Sequence, residues 1–271
     1  MVQFYDEIPA FVIPWIQQQK MFWVATAPLS QSGHVNLSPK GFEGTFHIMD
    51  QKTVWYEDMS GSALFPQGIE TVSHVRENGR LTIMFCAFEG PPRIVRLFGT
   101  GIVHEFDTPE YNALIPLNKR QPGSRSVIML HVHKASSSCG YSIPFYTFKS
   151  HRMRLHIMAA QKEGEDIKAE TANGAQPLPE KGLKWYWKTK NTSSIDGLPG
   201  LQNAFCSTKI FDEKNVKKDW GKDDERLSTG PKWEGRRWLD PKMIMGFILG
   251  VVVSALWMNL VGSVGLKLKS W

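Results

Sequence analysis

Short runs in which apolar and polar residues alternate follow one another along the first half of the chain. "FWVATAP" (22–28), "GHVNLSP" (33–39), "TFHIMD" (45–50) and "TVWYED" (53–58) come first, then "RLTIMFCAF" (80–88), "RIVRLFGTGIV" (93–103) and "SVIMLHVH" (126–133). A period of two with Gly, Ser, Asp or Pro at the breaks is the pattern of half-buried strands joined by turns. Regular short strands at this spacing predict a mainly β fold with some α, built as a closed or nearly closed antiparallel barrel.

Helical spacing interrupts the strands. Residues 68–79, "GIETVSHVRENG", put Ile69, Val72 and Val75 on one face, and 108–115, "TPEYNALI", open with a threonine cap and Pro109 at the first helical position. Asp6 is expected to cap a short helix with Pro9 in its first turn, cut short by Pro14. Residues 151–165 are expected to be helical, and Ala169 to Lys181 to form a loop of small and polar residues.

In 81–88 both alternating sets are apolar: Leu81, Ile83, Phe85 and Ala87 on one side, Thr82, Met84, Cys86 and Phe88 on the other. Such a strand has no solvent face. One side fills the barrel and the other must meet a helix or a second subunit, so a homodimer is expected.

The C-terminal segment has a different pattern. Met243 to Leu266 are 24 residues without a charge, relieved only by Asn259 and two serines. As a helix they would extend roughly 36 Å, enough for a hydrocarbon core of about 30 Å. Trp233, Trp238 and Trp271 suit the two interfaces, and Arg236, Arg237 and Lys242 outnumber Lys267 and Lys269, favouring a cytosolic N-terminal flank. A single-pass, tail-anchored membrane protein with its working domain in the cytosol is the expectation. The chain therefore divides into a barrel (1–150), a helical and loop extension (151–211), a charged linker (212–242), the span (243–266) and a short tail (267–271).

Charge sharpens this picture. Of the formal +6, most lies from Arg226 onward, where seven Lys/Arg stand against two Asp/Glu. The remainder is nearly neutral, which argues against a nucleic-acid face. Three cysteines (Cys86, Cys139, Cys206) without regular spacing argue against a disulfide framework or a zinc-thiolate site. Asp6 and Glu7 stand where a secretory signal would carry positive charge.

One strand ends oddly: "VNLSPKGFEG" (35–44) runs through Ser38 and Pro39 into Lys40 and Gly41. Proline removes a ladder donor and glycine permits close approach of the backbone, as though the chain were shaped around something needing a positive charge.

"NLSPKG", "VWYED", "ETVSHVRENGRLTIMF" and "PPRIVRLFGTG", in that order and spacing, resemble the FMN-binding split barrel of the pyridoxamine 5′-phosphate oxidase-like superfamily. "SCGYSIPFY" (138–146) and "KNTSSIDGLPGL" (190–201) resemble further signatures of one uncharacterised branch, and the likeness covers roughly residues 5 to 205. It implies a homodimeric, FMN-dependent oxidoreductase acting on a small molecule; a membrane-anchored flavin-binding or interaction protein without turnover is the alternative. It also implies cofactor-binding residues: Ser38 and Lys40 at the strand end, Thr71 near a helix start that favours anions, Tyr56 and Glu57 along the flavin, Arg93 on the "RxVR" strand, and Cys139, Gly140 and Tyr141 closing the pocket from the partner subunit. Members that oxidise vitamin B6 carry an Arg-Lys pair where this chain has Glu70 and Thr71, and glutamine where it has Ile94, so that reaction is not implied here. No catalytic acid or base is named.

Other residues admit plainer readings. Arg93 and Arg96 point to opposite faces of a strand, so at most one meets a cofactor. Thr71 is equally a first-turn helix residue, and His74 a surface or satisfied histidine. Cys139 reads as a packing residue as readily as a nucleophile. His131 and His133 form an HxH on a strand, but without a third ligand no metal site is assigned. "SIDGLPG" (194–200) reads as a rigid turn.

Overall fold

The computed structural model describes residues 2–61, 68–172 and 178–221, and six further positions, Met245, Leu249, Val253, Ser254, Leu256 and Trp257. In chain order the elements are β1 (Gln3–Tyr5), α1 (Ile13–Gln18), β2 (Phe22–Thr26), β3 (Asn36–Lys40), β4 (Phe46–Ile48) and β5 (Thr53–Met59). There follow α2 (Glu70–Asn78), β6 (Arg80–Cys86), β7 (Ile94–Glu105), α3 (Pro109–Leu114), β8 (Ser124–Ser138), α4 (Arg154–Ala172), α5 (Leu183–Lys190) and α6 (Glu213–Lys217).

Every strand pairing is antiparallel, in the order β3-β2-β6-β7-β8-β5-β4. The first half of the long β8 pairs with β5, while its end, Ala135 to Ser137, pairs with β1. The sheet curls but stays open between its edges, β3 and β4, so the expected closed or nearly closed barrel is a split half-barrel. Its interior is filled by Phe22, Val24, Tyr56, Ile83, Phe85, Leu97 and Ile128, all buried. Phe22 meets Phe46 at 5.0 Å and Tyr56 at 5.4 Å between ring centroids, tying strands that are not neighbours in the sheet.

Helix α2 lies on the sheet with Ile69, Val72 and Val75 buried, as its spacing predicted. Gly79 ends it in the left-handed region (φ 69°) and returns its N–H to Val75. On β7, a bulge between Phe98 and Gly99 requires glycine, because a Cβ at Gly99 would stand 2.1 Å from the His131 carbonyl oxygen. Thr108 caps α3 with Pro109 in the first turn.

Three local expectations are corrected. The N-terminal helix starts at Ile13 rather than behind Asp6: Pro14, lacking an N–H, sits in its first turn, and Gln3–Tyr5 are spent on β1. Helix α4 runs to Ala172, past the residue where a loop was expected to begin. The charged stretch expected to be a solvated linker from Asp212 begins instead with α6, capped by Asp212 and packed against α4, and the Asn215 amide donates to the Leu117 and Arg120 carbonyls. Helix α5, rich in aromatics and unannounced by any period, packs Trp187 against the touching pair Phe106 and Phe211.

These elements form one compact unit, Met1–Lys222; Asp223–Trp271 forms another. Among the described residues no helix is long and apolar enough to cross a membrane. The expected span, Met243 to Leu266, falls outside the described residues except at the six positions named above, which are helical and exposed. The remaining linker from residue 222 and the tail also lie outside them.

Candidate functional site

The register of β3 gathers the polar side chains of the site. Lys40 is paired with Phe22, Ser38 with Val24 and Asn36 with Thr26. Phe22, Val24 and Thr26 are buried on the inner side of β2, so Asn36, Ser38 and Lys40 share that inner side. The same alternation in β5 turns Tyr56 and Asp58 to one face and Glu57 to the other.

Lys40 Nζ donates to Asp58 Oδ1 at 3.1 Å, joining edge strand β3 to β5 across the curled sheet. Asp58 is fully buried, and its other oxygen accepts from Arg125 Nε at 2.8 Å. Arg125 Nη2 donates onward to the Gly68 carbonyl at 2.6 Å, two residues before α2. Burial pushes the Asp58 carboxyl up, but Arg125 and then Lys40 outweigh it and hold the group below its ordinary value. Two cations around one carboxylate leave a net positive charge beside the start of α2.

Donors remain over. Arg125 Nη1 is buried without a hydrogen-bond partner, and the buried Tyr56 hydroxyl faces Thr71, burial driving it well above its ordinary value so that it stays protonated. Thr71, buried in the first turn of α2, accepts at 3.0 Å from the Asn36 amide, which also donates to Thr26. A cavity of about 290 Å³ opens beside Phe22, the cross-strand partner of Lys40, and Gly41, and is lined also by Lys20, Glu43, Phe46, His47, Phe85 and His151.

Four of the expected cofactor residues, Ser38, Lys40, Tyr56 and Thr71, thus come together. Glu57 and Arg93 lie elsewhere in the chain, and Cys139, Gly140 and Tyr141, expected to act from a partner subunit, lie apart from the four within one chain. Glu57 faces the opposite side, where it accepts from the Gln121 N–H at 3.0 Å and burial raises its carboxyl above the ordinary value. The Arg93 guanidinium lies over the Trp15 ring at 5.6 Å, and Gly140 packs on the Arg93 backbone. Cys139 and Tyr141 are exposed beside them. Arg96, opposite Met84 and Ser136, is on the outer face. His131 and His133 are exposed on β8.

Asp58 and Arg125 were not singled out by the sequence. Alternation with Tyr56 could have found Asp58. Arg125 follows a loop and precedes the apolar run of its strand, so it carried no signal.

A family model for pyridoxamine 5′-phosphate oxidase matches residues 8–139. A "pyridoxamine 5′-phosphate oxidase family protein ustO" of Aspergillus flavus is 35% identical over 208 residues, covering 74% of this chain and 78% of that relative. Among solved structures, HupZ of Group A Streptococcus is 23% identical, with 46% of this chain and 89% of that chain covered and a TM-score of 0.36. A FAD-binding protein of Mesorhizobium loti is 9% identical, with 51% and 99% covered and a TM-score of 0.33.

Proposed function

The chain belongs to the pyridoxamine 5′-phosphate oxidase family, and from that premise we propose that it is an FMN-dependent oxidoreductase for a small molecule, acting as a membrane-anchored homodimer. The observation that carries the proposal is the set of spare donors around Lys40 and Arg125. A phosphate ester needs converging N–H and O–H groups and positive charge. Lys40 keeps further ammonium protons, Arg125 Nη1 is unpartnered, and the facing hydroxyls of Tyr56 and Thr71 stand at a helix start.

When bound, FMN supplies two-electron redox chemistry through its ring system. The chain's own part is to hold it. Lys40 and Arg125 would balance the phosphate charge, and Asp58 fixes both cations in place.

The dimer reading rests on the outer face of the sheet. Trp23, Met84, Arg96 and Ser136 form one cross-strand row that ends at exposed Phe4, with exposed Leu37 nearby on edge strand β3. The anchor rests on the uncharged run from Met243 to Leu266. Release of the chain from membranes by alkaline carbonate would contradict the anchor.

Absorption spectroscopy of the full chain in mild detergent tests the function. A bound flavin bleached anaerobically by NADH, NADPH or dithionite and recoloured by an acceptor is expected. A flavin reducible by dithionite but by neither nucleotide, and never turned over, would leave the carrier reading. A colourless chain that FMN cannot reconstitute would remove both.

A further inference from the structure

Glu70, His74 and Asp196 each offer a ligand atom, and these atoms all lie within 4.8 Å of one another. Glu70 and His74 are one turn apart on α2, whereas Asp196 arrives from far along the chain. Its turn is set by hydrogen bonds from Ser194 N–H to the Leu198 carbonyl and from Gly197 N–H to the Ser194 carbonyl. The Ile195 N–H then donates to Glu70 Oε1 at 2.9 Å, seating the turn on the helix.

What remains unpaired points inward. The His74 side chain is 0% exposed, its Nε2 has no hydrogen-bond partner, and it stands 4.0 Å from Glu70 Oε2, which is likewise buried without one. The other ring nitrogen, Nδ1, is 3.0 Å from the Thr26 hydroxyl, whose oxygen also accepts from Asn36. In the tautomer with the proton on Nδ1, that N–H donates to the Thr26 oxygen and Nε2 presents a lone pair to a cation. An outer hydrogen bond of this kind orients a metal-bound histidine. A buried ring nitrogen and a buried carboxylate oxygen 4.0 Å apart, neither with a hydrogen-bond partner, and a second carboxylate alongside, make a place for a cation.

We propose that Glu70, His74 and Asp196 bind one divalent first-row transition ion. One imidazole and two carboxylates make a borderline-to-hard set without thiolate, which suits Zn²⁺, Fe²⁺ or Mn²⁺, and the two carboxylates neutralise the ion. Tetrahedral ligation at about 2.0–2.1 Å places ligand atoms about 3.3 Å apart, so the three atoms close by up to about 1.5 Å around it. Glu70 and the Asp196 turn supply that movement. His34, whose Nδ1 is 2.7 Å from Asp196 Oδ1 and whose N–H holds Oδ2 at 2.8 Å, orients the second carboxylate from outside. The ion fastens the 194–200 turn to α2. The site shares no ligand atom with the donors assigned to flavin, although Asn36 joins the two by donating to both Thr26 and Thr71, and it does not depend on that assignment.

The test uses the untagged full chain in mild detergent, stripped with EDTA and titrated with Co²⁺ or Zn²⁺ alone. One equivalent of Co²⁺ should bind with a visible ligand-field band, and Zn²⁺ should displace it stoichiometrically. Glu70→Gln and Asp196→Asn, checked for unchanged circular dichroism, should each weaken binding at least tenfold. His74→Gln removes a buried group and can fail to fold, so the decision rests on the two carboxylate variants. Absence of stoichiometric Co²⁺ or Zn²⁺ binding, or unchanged affinity in both carboxylate variants, would overturn the proposal.

Discussion

Lys40 Nζ meets Asp58 Oδ1 at 3.1 Å, joining an edge strand of the curled sheet to one that is not its neighbour. The two partners are not equivalent. Asp58 also holds the buried Arg125, whereas Lys40 is partly exposed, at 21%.

Asymmetry in mutational cost follows. Asp58→Asn leaves Arg125 as an uncompensated buried charge and should destabilise the fold by roughly 3–5 kcal/mol. Lys40→Ala leaves the Asp58–Arg125 pair intact and should cost about 1 kcal/mol. Urea unfolding of the two variants measures the difference; equal losses would contradict this assignment of partners.

Glu105 is a second buried anchor. Its carboxylate accepts from the N–H groups of Gln202, Asn203 and Ala204, each at 2.7 Å, and from Arg76. Glu105→Ala should destabilise by about 2–4 kcal/mol, since several charge-assisted bonds are lost together. Hydrogen exchange should rise first at residues 202–204; exchange that rises uniformly, or not at all, would argue against a local clasp.

Acid should loosen the packing of α4. Burial lowers His156 to about 4, with its Nε2 2.5 Å from Gln121 Oε1 and its ring edge-on to Phe42. The unfolded chain takes up this proton near pH 6.5 and the folded chain only near pH 4, so stability falls as pH drops through that window, by about 2–3 kcal/mol. His156→Gln should flatten the pH dependence there. An unchanged slope would assign the acid sensitivity to another group.

The outer face is the test of assembly. Met84→Asp places a charge in the centre of the row formed by Trp23, Arg96 and Ser136, and should convert a dimer to monomer. Light scattering after size exclusion reads the mass directly. A dimer that survives this substitution uses another surface.

Much of the fold is legible in the sequence because short apolar-rich runs are separated by turn residues, Gly79 ends α2 and Thr108 caps α3. β1 is three residues long and α5 reads "LKWYWKTK", so neither contains enough of a period to be seen. At the site, Lys40 announces itself by ending a strand between Pro39 and Gly41, and Tyr56 and Thr71 by the ordered motifs. Glu57 lies on the opposite face from Tyr56 because adjacent strand residues face opposite ways. The Arg125 contact with Asp58 spans 67 residues and that of Asp196 with His34 spans 162, and no local pattern encodes such distant meetings. His74, read as surface or satisfied, is buried with one nitrogen unpaired, because Asp196 and its turn cover it.

The most direct measurement compares FMN with riboflavin, which lacks only the phosphate, by fluorescence titration against the flavin-stripped full chain. Selective capture by Lys40, Arg125 and Thr71 should make FMN bind about 10–100-fold more tightly, and Lys40→Ala should remove about tenfold of that preference while leaving riboflavin unchanged. Equal affinity for the two flavins, or a preference indifferent to Lys40, would contradict the account.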